Sequence, residues 1–335
     1  MTIIASRIGA ALTAAGLFIA VSPVVSALDI ALTNDEGWDT IGIQAVKKAL
    51  VFGGHTVTLV GTVDDKSARS ASLDLNRPSK AEISLQDLVI TKKRDDDGAL
   101  EYSVALEGTG GTESAAPATI ALLAIDIARE RSNRLPDLLV SGINDEANLG
   151  AVLQISSTVG ASIVSLGSTF NGSVPAIAIS TDPICSGDTD DCATRTEAHY
   201  ARVADFLVSL IDHLHTKPGI LRKEVGLLPP GIGLNVNYPP VEVPNGLVVV
   251  RQGRTASLGG PPVTLAIGCE ESCENLGIGE STSGELTFVP DLTLERRDAD
   301  TEAFAQGYIT ITPIVADYTN DGYKQYESVF RTLRF

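Results

Sequence analysis

Apolar and polar positions alternate between two kinds of segment over the first two thirds of the chain. Short uninterrupted apolar runs are typical of strands buried in a parallel sheet, and longer runs with an apolar stripe are typical of helices. The pattern predicts strands at 29–33, 56–61, 138–141, 176–180 and 233–236, and helices at 41–52, 120–131, 152–166 and 194–215. Such alternation predicts an α/β fold with a mostly parallel sheet and helices on both faces.

The sequence pattern changes beyond about residue 239, where Pro and Gly are frequent and long helical patterns are missing. The strand-like segments 247–252 and 308–313 predict antiparallel hairpins appended to the sheet. We therefore divide the domain into an α/β core, 28–239, and a C-terminal hairpin extension, 240–335. Exposed strand edges make such an extension suitable for subunit contacts.

Two charged, turn-rich segments interrupt these patterns, at 93–98 and 295–300. Clusters of charged and turn-forming residues between periodic segments are typical of loops. Both are predicted as solvated loops without a functional role.

The N-terminus has the pattern of a secretory signal peptide. Arg7 precedes the apolar run 8–21, and the small residues Ser26 and Ala27 stand where a signal peptidase cuts. The apolar run is shorter than the roughly 20 residues that span a bilayer, which argues against a membrane anchor. Residues 1–27 are thus predicted to be removed after Ala27, and the protein is predicted to be secreted. Asn171 begins an Asn-x-Ser sequon and would be glycosylated in a cell that glycosylates its exports.

The four cysteines form two local pairs, Cys185 with Cys192 and Cys269 with Cys273. An oxidising exterior favours two short loop-closing disulfides. Zinc ligation is the alternative, but neither a repeated C-x-x-C pattern nor a His partner at ligand spacing is present. Four cysteines allow three connectivities, so the pairing stays open.

The charge balance limits the kind of partner. A formal net charge of −17 and a pI near 4.6 argue against binding of nucleic-acid polymers or anionic membranes, because both rely on basic patches.

Polar side chains follow the first predicted strand directly, as Asn34, Asp35 and Glu36, and Gly37 ends the run. In an open parallel sheet, ligands bind just beyond the carboxyl ends of the strands. Two adjacent carboxylates repel unless a cation lies between them, which indicates a hard divalent ion with oxygen ligands. The alternative is an Asx-type cap on the helix that follows.

Two more oxygen donors follow other predicted strands: Ser67 after the strand 56–61, and Asn144 after the strand 138–141. Taken alone, Ser67 is more typical of a loop hydroxyl, and Asn144 is more typical of a turn residue or a helix cap. Neighbouring strand ends share one crevice, however, so Asp35, Glu36, Ser67 and Asn144 are expected to converge. Two carboxylates, a hydroxyl and an amide oxygen suit Mg²⁺ or Mn²⁺ and do not suit zinc.

At these residues the chain resembles the SurE family of survival-protein phosphatases. The family opens on a strand followed by Thr-Asn-Asp-Asp-Gly, which appears here as Thr-Asn-Asp-Glu-Gly at 33–37. Its Ser-Gly-Ile-Asn signature with the following Asn-Leu-Gly appears at 141–150. Further matching motifs, in order, stand at 157–161, 174–180, 234–239 and 307–313. The resemblance runs from residue 29 to about residue 318.

The resemblance implies a Rossmann-like α/β fold and a metal-dependent phosphomonoesterase acting on nucleoside monophosphates and related small phosphate esters. The family's metal ligands carry over to Asp35, Glu36, Ser67 and Asn144, with Asp35 and Asn144 as the catalytic residues. Asn34, Lys66 and Asn148 are expected near the phosphate, with Lys66 neutralising a phosphate oxygen. The family resemblance also suggests a homodimer or homotetramer formed through the C-terminal hairpins.

Two departures from the family pattern affect the expected activity. Glu36 replaces the second Asp, and its extra methylene favours a larger ion such as Mn²⁺, since Mg²⁺ tolerates little distortion. Residues 111–116 lack the Asp and Cys of the family's Gly-Thr-Pro-Ala-Asp-Cys segment, which leaves nucleobase and ribose recognition open. Two hypotheses therefore remain: an exported phosphatase, or a secreted binding protein that has kept the fold and lost turnover.

Overall fold

The computed structural model describes most of the chain after residue 25. The described residues are 26–79, 82–85, 87–96, 98–167, 172–185, 187, 189–216, 227–229, 231–257, 264–268, 285–289 and 295–317. Residues 1–25 of the predicted signal peptide lie outside them, as do Asn171, Cys269 and Cys273. Within these ranges, no helix has the length and apolarity needed to cross a membrane.

Strands and helices alternate along the described core. The strands are β1 (Asp29–Thr33), β2 (Thr56–Thr62), β3 (Leu75–Ser79), β4 (Glu82–Leu85), β5 (Leu88–Asp96), β6 (Ala99–Leu106), β7 (Leu138–Asn144), β8 (Leu149–Gly150), β9 (Ala176–Thr181), β10 (Ile232–Tyr238), β11 (Leu247–Val249), β12 (Ala256–Ser257), β13 (Thr264–Gly268), β14 (Glu285–Val289) and β15 (Ile309–Val315). The helices are α1 (Ile41–Phe52), α2 (Pro117–Ser132), α3 (Ser157–Leu166), α4 (Asp190–Thr216) and α5 (Asp300–Ala305), with a 3-10 turn at Ala151–Gln154.

Nine of the described strands form one sheet in the order β11-β15-β10-β9-β7-β1-β2-β6-β5. The central pairs, from β6 through β2, β1, β7 and β9 to β10, are all parallel. The chain builds outward from β1 to β2 and β6, and then returns to the other side of β1 with β7. This reversal of strand order between β1 and β7 is the point at which open α/β sheets bind their ligands.

Helices cover both faces of the sheet and bury two apolar layers. One layer packs beneath α1 and α4 and contains Ile30, Leu32, Leu59 and Val140. The other packs beneath α2 and α3 and contains Ala31, Val60 and Leu139. Alternate residues of β1 thus enter opposite layers, and β1 is buried throughout, as expected for the central strand of a covered parallel sheet.

The predicted α/β fold class and the core elements are confirmed, with only small changes at their ends. The β1 and α1 ranges match the prediction, whereas the predicted helix 152–166 is divided into the 3-10 turn Ala151–Gln154 and α3. The Ser156 hydroxyl accepts a hydrogen bond from the Val159 N–H and caps α3. This cap starts a new helix at Ser157 because it satisfies one of the free N–H groups of the first turn.

The strand directions predicted for the C-terminal extension were wrong in part. Segments 247–252 and 308–313 were expected to form antiparallel hairpins, but β11 runs parallel to β15. β15 is instead antiparallel to β10 and continues the main sheet. The pairing partner of a strand depends on the chain between the two strands, and α5 lies between β11 and β15 as a crossover. An antiparallel hairpin does occur in the extension, between β13 and β14.

The two charged segments predicted as solvated loops are also not simple loops. β5 extends to Asp96 and pairs with β6 in antiparallel fashion, with an irregular register near Lys93. In the second segment, Asp300 is buried at the start of α5 and accepts hydrogen bonds from the N–H groups of Gly150 and Gly253. The charge of this segment predicted that Asp300 would be exposed. Hydrogen bonds from main-chain N–H groups instead offset part of the free-energy cost of burying its carboxylate.

Candidate active site at the strand ends

The carboxyl ends of three neighbouring strands form the candidate site. β1 and β7 are paired so that Thr33 lies beside Ser141, and the next residues of both strands lead into the predicted ligands. The loop after β2 joins the same edge, because the Lys66 N–H donates to the Asp35 carbonyl over 2.8 Å. The convergence expected from strand topology therefore holds for the main chain of all three segments.

Thr158 connects the two principal predicted ligands. Its hydroxyl oxygen lies 2.7 Å from Asp35 Oδ1 and 3.0 Å from Asn144 Oδ1. All three side chains are buried. A hydroxyl has one proton, so it donates to one of the two oxygens at a time. The other oxygen is then left as a buried acceptor directed into the same space.

The orientation of the Asn144 amide follows from its other contact. Asn144 Nδ2 donates to the Glu146 carbonyl, which turns Oδ1 toward Thr158 and Asp35. The backbone before Asn144 requires glycine at position 142, where φ is +123° and a Cβ would lie 2.1 Å from the Ile179 carbonyl oxygen. The close packing of β7 on β9 thus fixes where Asn144 leaves the sheet.

Glu36 reaches across to the loop after β7. Its Oε1 accepts a hydrogen bond from the Asp145 N–H at 3.1 Å. Its Oε2 is buried and has no hydrogen-bond partner among the described residues. Glu36 and Asn144 are thereby tied to consecutive residues of one short loop.

Negative charge accumulates at the site. Burial raises the pKa of Asp35 to about 6 against the opposing Thr158 hydrogen bond, and the charges of Asp65 and Glu146 add to the increase. Burial, followed by the charges of Asp35 and Asp145, raises the pKa of Glu36 well above its usual value. Carboxylates in such surroundings bind either protons or a cation.

The donor set fits a hard divalent cation. Asp35 and Glu36 supply carboxylate oxygens, Asn144 an amide oxygen, and Glu36 Oε2 is a buried oxygen without a partner among the described residues. No cluster of three or more His, Cys, Asp or Glu side chains suited to a metal ion is found in the described part of the chain. A set of two carboxylates and one amide oxygen contains only oxygen donors, which suits Mg²⁺ or Mn²⁺. Asp35, Glu36 and Asn144 are the residues positioned to hold such an ion.

Ser67 and Lys66 lie on the adjoining loop but are engaged by other partners. The Ser67 hydroxyl is exposed and donates to Asp65 Oδ1 at 2.7 Å. Lys66 Nζ lies 2.9 Å from Asp64 Oδ2 in an ion pair. Burial alone would raise the pKa of Asp64, but hydrogen bonds from Ser114 and Lys66 lower it, which keeps the pair charged. The structure therefore brings the Ser67 main chain to the site with its hydroxyl directed to Asp65.

The other two predicted phosphate contacts, Asn34 and Asn148, are buried. Asn34 Nδ2 donates to the Gly37 carbonyl at 2.8 Å, and its amide thus shapes the turn into α1. Asn148 Nδ2 donates to the Ser180 hydroxyl at 2.9 Å, and the Asn148 carbonyl accepts from Asn235 Nδ2 at 2.8 Å. Asn148 thereby ties the loop after β7 to β9 and β10.

The structure pairs Cys185 with Cys192 in a disulfide, with 5.8 Å between their Cα atoms. This bond joins the segment after β9 to the first turn of α4. The predicted Cys269–Cys273 pair and the Asn171 sequon lie outside the described residues and stay predictions.

The sequence reasoning did not assign two residues that the structure places at the site. Thr158 stands in the matched motif 157–161, which could have indicated it. The candidate ligands were residues that follow predicted strands, and Thr158 does not follow one. Tyr200, on α4, donates from its hydroxyl to Asp145 Oδ1. No motif indicated Tyr200, because α4 reaches the site only through the packing of the tertiary structure.

The fold and the site together define an α/β protein with a candidate oxygen-donor cation site at the switch point of a parallel sheet. Comparison with protein-family models matches residues 30–258 to "Survival protein SurE". The chain belongs to this family.

Curated relatives agree over most of the chain. The "5'-nucleotidase SurE" of Clostridium botulinum (strain Alaska E43 / Type E3) is 30% identical over 88% of this chain and 95% of its own length. The 5'-nucleotidase SurE of Carboxydothermus hydrogenoformans is also 30% identical, over 88% of this chain and 92% of its own length. A 5'-nucleotidase is a phosphoric monoester hydrolase, so the enzyme class expected from the sequence is confirmed at the level of the family.

A solved structure supports the fold. The SurE protein from Aquifex aeolicus superposes with a TM-score of 0.61 at 22% identity, covering 90% of this chain and 98% of that chain. At this identity the likeness bears on the fold, and it agrees with the mostly parallel sheet and its flanking helices.

Proposed function

We propose that the chain is an exported, divalent-cation-dependent phosphomonoesterase that hydrolyses nucleoside monophosphates or other small phosphate esters. The observation that carries the proposal is the placement of Asp35 and Asn144 on one buried Thr158 hydroxyl. The buried Glu36 Oε2, which has no hydrogen-bond partner among the described residues, supports it. The names of the curated relatives support the nucleotide substrate. Mg²⁺ or Mn²⁺ is the proposed ion.

The physics of the reaction assigns roles to these residues. A phosphate monoester dianion repels nucleophiles, so its hydrolysis requires charge neutralisation, positioning and an activated water. A divalent cation supplies Lewis-acid stabilisation of the phosphoryl oxygens when bound. Asp35 orients the attacking water and accepts its proton as the general base. The alternative role of Asp35 is that of a nucleophile: its carboxylate attacks the phosphorus, the ester alcohol leaves, and water then hydrolyses the aspartyl phosphate to free phosphate.

We assign the Asn144 amide to the cation and to the orientation of the bound phosphoryl group. Its Nδ2 is held by the Glu146 carbonyl, so the oxygen is the atom presented to the site. Ser67 is proposed to complete the ligand set by a change of its χ1 rotamer that moves its hydroxyl oxygen away from Asp65.

Lys66 is the proposed phosphate-neutralising cation, with Asn34 and Asn148 as supporting amides. Lys66 Nζ is paired with Asp64, so the positive charge of Lys66 would be shared between the Asp64 carboxylate and a phosphate oxygen. Lys66→Met is expected to raise KM more than it lowers kcat, because a point charge on the ground-state phosphate contributes to binding. An unchanged KM would remove Lys66 from the phosphate site.

Export after cleavage at Ala27 is part of the proposal. Ser26 and Ala27 are exposed, and Leu28 is buried at the start of the fold, so removal of the preceding residues leaves β1 intact. The Cys185–Cys192 disulfide fits an oxidising compartment. Mass spectrometry of protein recovered from the source culture medium tests this, with a mature N-terminus at Leu28 as the expected result.

A homodimer or homotetramer formed through the 240–335 extension is also proposed. β11 is an edge strand of the main sheet and carries Val249, which is 69% exposed, beside the half-exposed Leu247. Unpaired strand edges with apolar side chains favour association. Light scattering coupled to size exclusion is expected to give a mass of two or four chains. A monomer would contradict this part of the proposal.

The deciding experiment is hydrolysis of 5′-AMP and p-nitrophenyl phosphate with Mg²⁺, with Mn²⁺ and with EDTA. We expect metal-dependent turnover that EDTA removes and that Asp35→Asn reduces by about 100-fold or more, since it removes a ligand and a base together. Asp126→Asn is the matched control, because Asp126 pairs with Arg129 on the surface of α2.

The alternative is a secreted binding protein that keeps the ion but does not turn over substrate. It predicts Mn²⁺ binding by calorimetry together with equal background rates in the wild type and in Asp35→Asn. The ratio of the wild-type rate to the Asp35→Asn rate therefore distinguishes the two hypotheses.

A further inference from the structure

A hydrogen-bonded relay connects α4 to the candidate cation site. The Tyr200 hydroxyl donates to Asp145 Oδ1, and the Asp145 N–H donates to Glu36 Oε1 at 3.1 Å. Tyr200 is the α4 residue that enters this relay, and it is buried with only 6% of its surface exposed. Through these two hydrogen bonds, α4 positions the loop after β7, and that loop positions the Glu36 carboxylate.

Glu36 needs such support because of its length. A Glu side chain has one more rotatable bond than Asp, so more conformational freedom must be restricted to keep its carboxylate in place. The Asp145 N–H is its described hydrogen-bond partner, and Oε2 has none among the described residues. The position of the Asp145 main chain therefore determines where Oε2 points.

Asp145 also directly follows Asn144. A restriction on the Asp145 main chain therefore limits the positions of two candidate ligands, Glu36 and Asn144. The Asp145 side chain is exposed and would move freely without the Tyr200 hydroxyl. With the hydroxyl bound, the residue after Asn144 is fixed to α4, and Asn144 Nδ2 is fixed to the Glu146 carbonyl.

A tyrosine is chemically suited to this task. Asp35, Glu36, Asp145 and Glu146 all lie near this end of the sheet, and a Lys or Arg at position 200 would compete with a divalent cation for their charge. Burial and the charge of Asp145 raise the pKa of Tyr200, so its hydroxyl stays a neutral donor. A neutral donor holds Asp145 without reducing the negative potential that attracts the ion.

We propose that Tyr200 is a positioning residue, which fixes Glu36 and Asn144 for the divalent cation through Asp145. This inference rests on the proposed function, because it assumes that Glu36 and Asn144 hold an ion. It adds a component from α4 that lies outside the motifs of the strand ends.

The test compares Tyr200→Phe with Tyr238→Phe by Mn²⁺ titration calorimetry in the absence of substrate. Tyr238 is an equally buried tyrosine, 6% exposed, in the same apolar layer, and its hydroxyl has no hydrogen bond within the described residues. We expect the Mn²⁺ Kd of Tyr200→Phe to rise about 10-fold, the usual effect of removing a group that orients a metal ligand. The Kd of Tyr238→Phe should stay at the wild-type value.

Kinetics with 5′-AMP give a second readout that a general loss of stability would not reproduce. In Tyr200→Phe, the Mn²⁺ concentration for half-maximal activity should rise about 10-fold. The KM for 5′-AMP at saturating Mn²⁺ should be unchanged, because the hydroxyl does not contact substrate.

A second pair of variants keeps the test valid if Tyr200→Phe does not fold. Asp145→Ala removes both the charge and the acceptor, whereas Asp145→Asn removes the charge and keeps an oxygen acceptor for Tyr200. We expect Asp145→Ala to weaken Mn²⁺ binding more than Asp145→Asn does. Combining Asp145→Ala with Tyr200→Phe should cause no further loss, since both break the same connection.

Three results would overturn the inference. The first is a wild-type Mn²⁺ Kd in Tyr200→Phe. The second is a rise in the Mn²⁺ Kd of Tyr238→Phe as large as that of Tyr200→Phe. The third is an equal Mn²⁺ Kd in Asp145→Ala and Asp145→Asn. In each of these cases a wild-type protein that binds Mn²⁺ and hydrolyses 5′-AMP keeps the proposed function intact. A wild-type protein that binds no Mn²⁺ overturns both.

Discussion

The Thr158 hydroxyl lies 2.7 Å from Asp35 Oδ1 and 3.0 Å from Asn144 Oδ1, so one side chain of α3 joins the ends of β1 and β7. The two acceptors belong to neighbouring parallel strands, and their separation is thus set by the sheet and by α3 together. An oxygen pair fixed in this way is preorganised for a cation, because little reorganisation is needed when the ion binds.

Thr158→Val should weaken divalent-cation binding. Valine keeps the shape of threonine and removes the hydroxyl, so Asp35 and Asn144 lose their shared donor. We expect the Mn²⁺ Kd to rise by about 10- to 100-fold by calorimetry. Thr158→Ser retains the hydroxyl and is the matched control, expected to stay near the wild-type Kd. Equal Kd values for the Val and Ser variants would show that the hydroxyl has no part in ion binding.

Ion affinity should fall steeply in acid. The pKa of Asp35 is raised to about 6, and the proton and the cation compete for the same carboxylate. Below pH 6 the Mn²⁺ affinity is therefore expected to drop about tenfold per pH unit for each proton displaced, and above pH 7 the Asp35 contribution should level off. Calorimetric titrations between pH 4.5 and 8 give the profile. An affinity independent of pH across that range would place the ion elsewhere.

Glu36→Asp should change the preference between ions. Removal of one methylene withdraws the carboxylate by about 1.5 Å from the Asp145 N–H and brings the site to the family's Asp-Asp pattern. We expect the Mg²⁺ affinity to rise relative to the Mn²⁺ affinity, since Mg²⁺ requires a compact, near-octahedral set of ligands. Parallel titrations with both ions measure the ratio, and an unchanged ratio would contradict a role for the length of Glu36.

Gly160→Ala should displace the loop that carries Ser67. A Cβ at position 160 would lie 2.1 Å from the Ser70 carbonyl oxygen, a main-chain atom that cannot turn away like a side chain. The expected cost is about 1–3 kcal/mol of unfolding free energy, the usual range for overpacking. Urea denaturation measures it. Gly53→Ala is the control. Its Cβ would lie 3.1 Å from a Val208 methyl group and 3.4 Å from the Ala49 and Leu50 carbonyl oxygens, so it should cost less than Gly160→Ala.

Stability should decrease as the pH rises through the range in which Asp300 ionises. Burial raises the pKa of Asp300 to about 6, so between pH 4 and 6 the folded protein holds a proton that the unfolded chain has released. The folded state is then favoured at low pH and loses at most about 3 kcal/mol from this group by pH 6. Asp300→Asn should remove this part of the dependence in urea denaturation at pH 4, 5, 6 and 7. A slope that is the same in both proteins would contradict it.

The elements around the site were predictable because their signals are local. β1 is an unbroken apolar run followed by Asn34, Asp35 and Glu36, and β7 ends in a glycine and Asn144. A strand buried on both faces leaves a strong apolar pattern, and the rule for ligand sites in parallel sheets then names the residues that come next. The α/β fold class and the candidate ligands Asp35 and Asn144 followed from these features.

The parts that were missed depend on contacts between distant segments. The parallel pairing of β11 with β15 joins strands that are separated along the chain by β12, β13, β14 and α5, and the sequences of the two strands do not specify their relative direction. The burial of Asp300 depends on N–H groups from Gly150 and Gly253, far from it along the chain. A charged residue in a turn-rich segment has no local sign of such donors.

The amino-acid sequence by itself determined the central strands, the helices between them and the oxygen donors that follow them, because hydrophobic period and residue type act over a few neighbouring positions. Only the tertiary structure decided that Thr158 bridges Asp35 and Asn144, and that Tyr200 holds the loop contacted by Glu36. Both depend on how α3 and α4 pack against the end of the sheet. Packing joins residues that are far apart in the chain, so no local pattern specifies it.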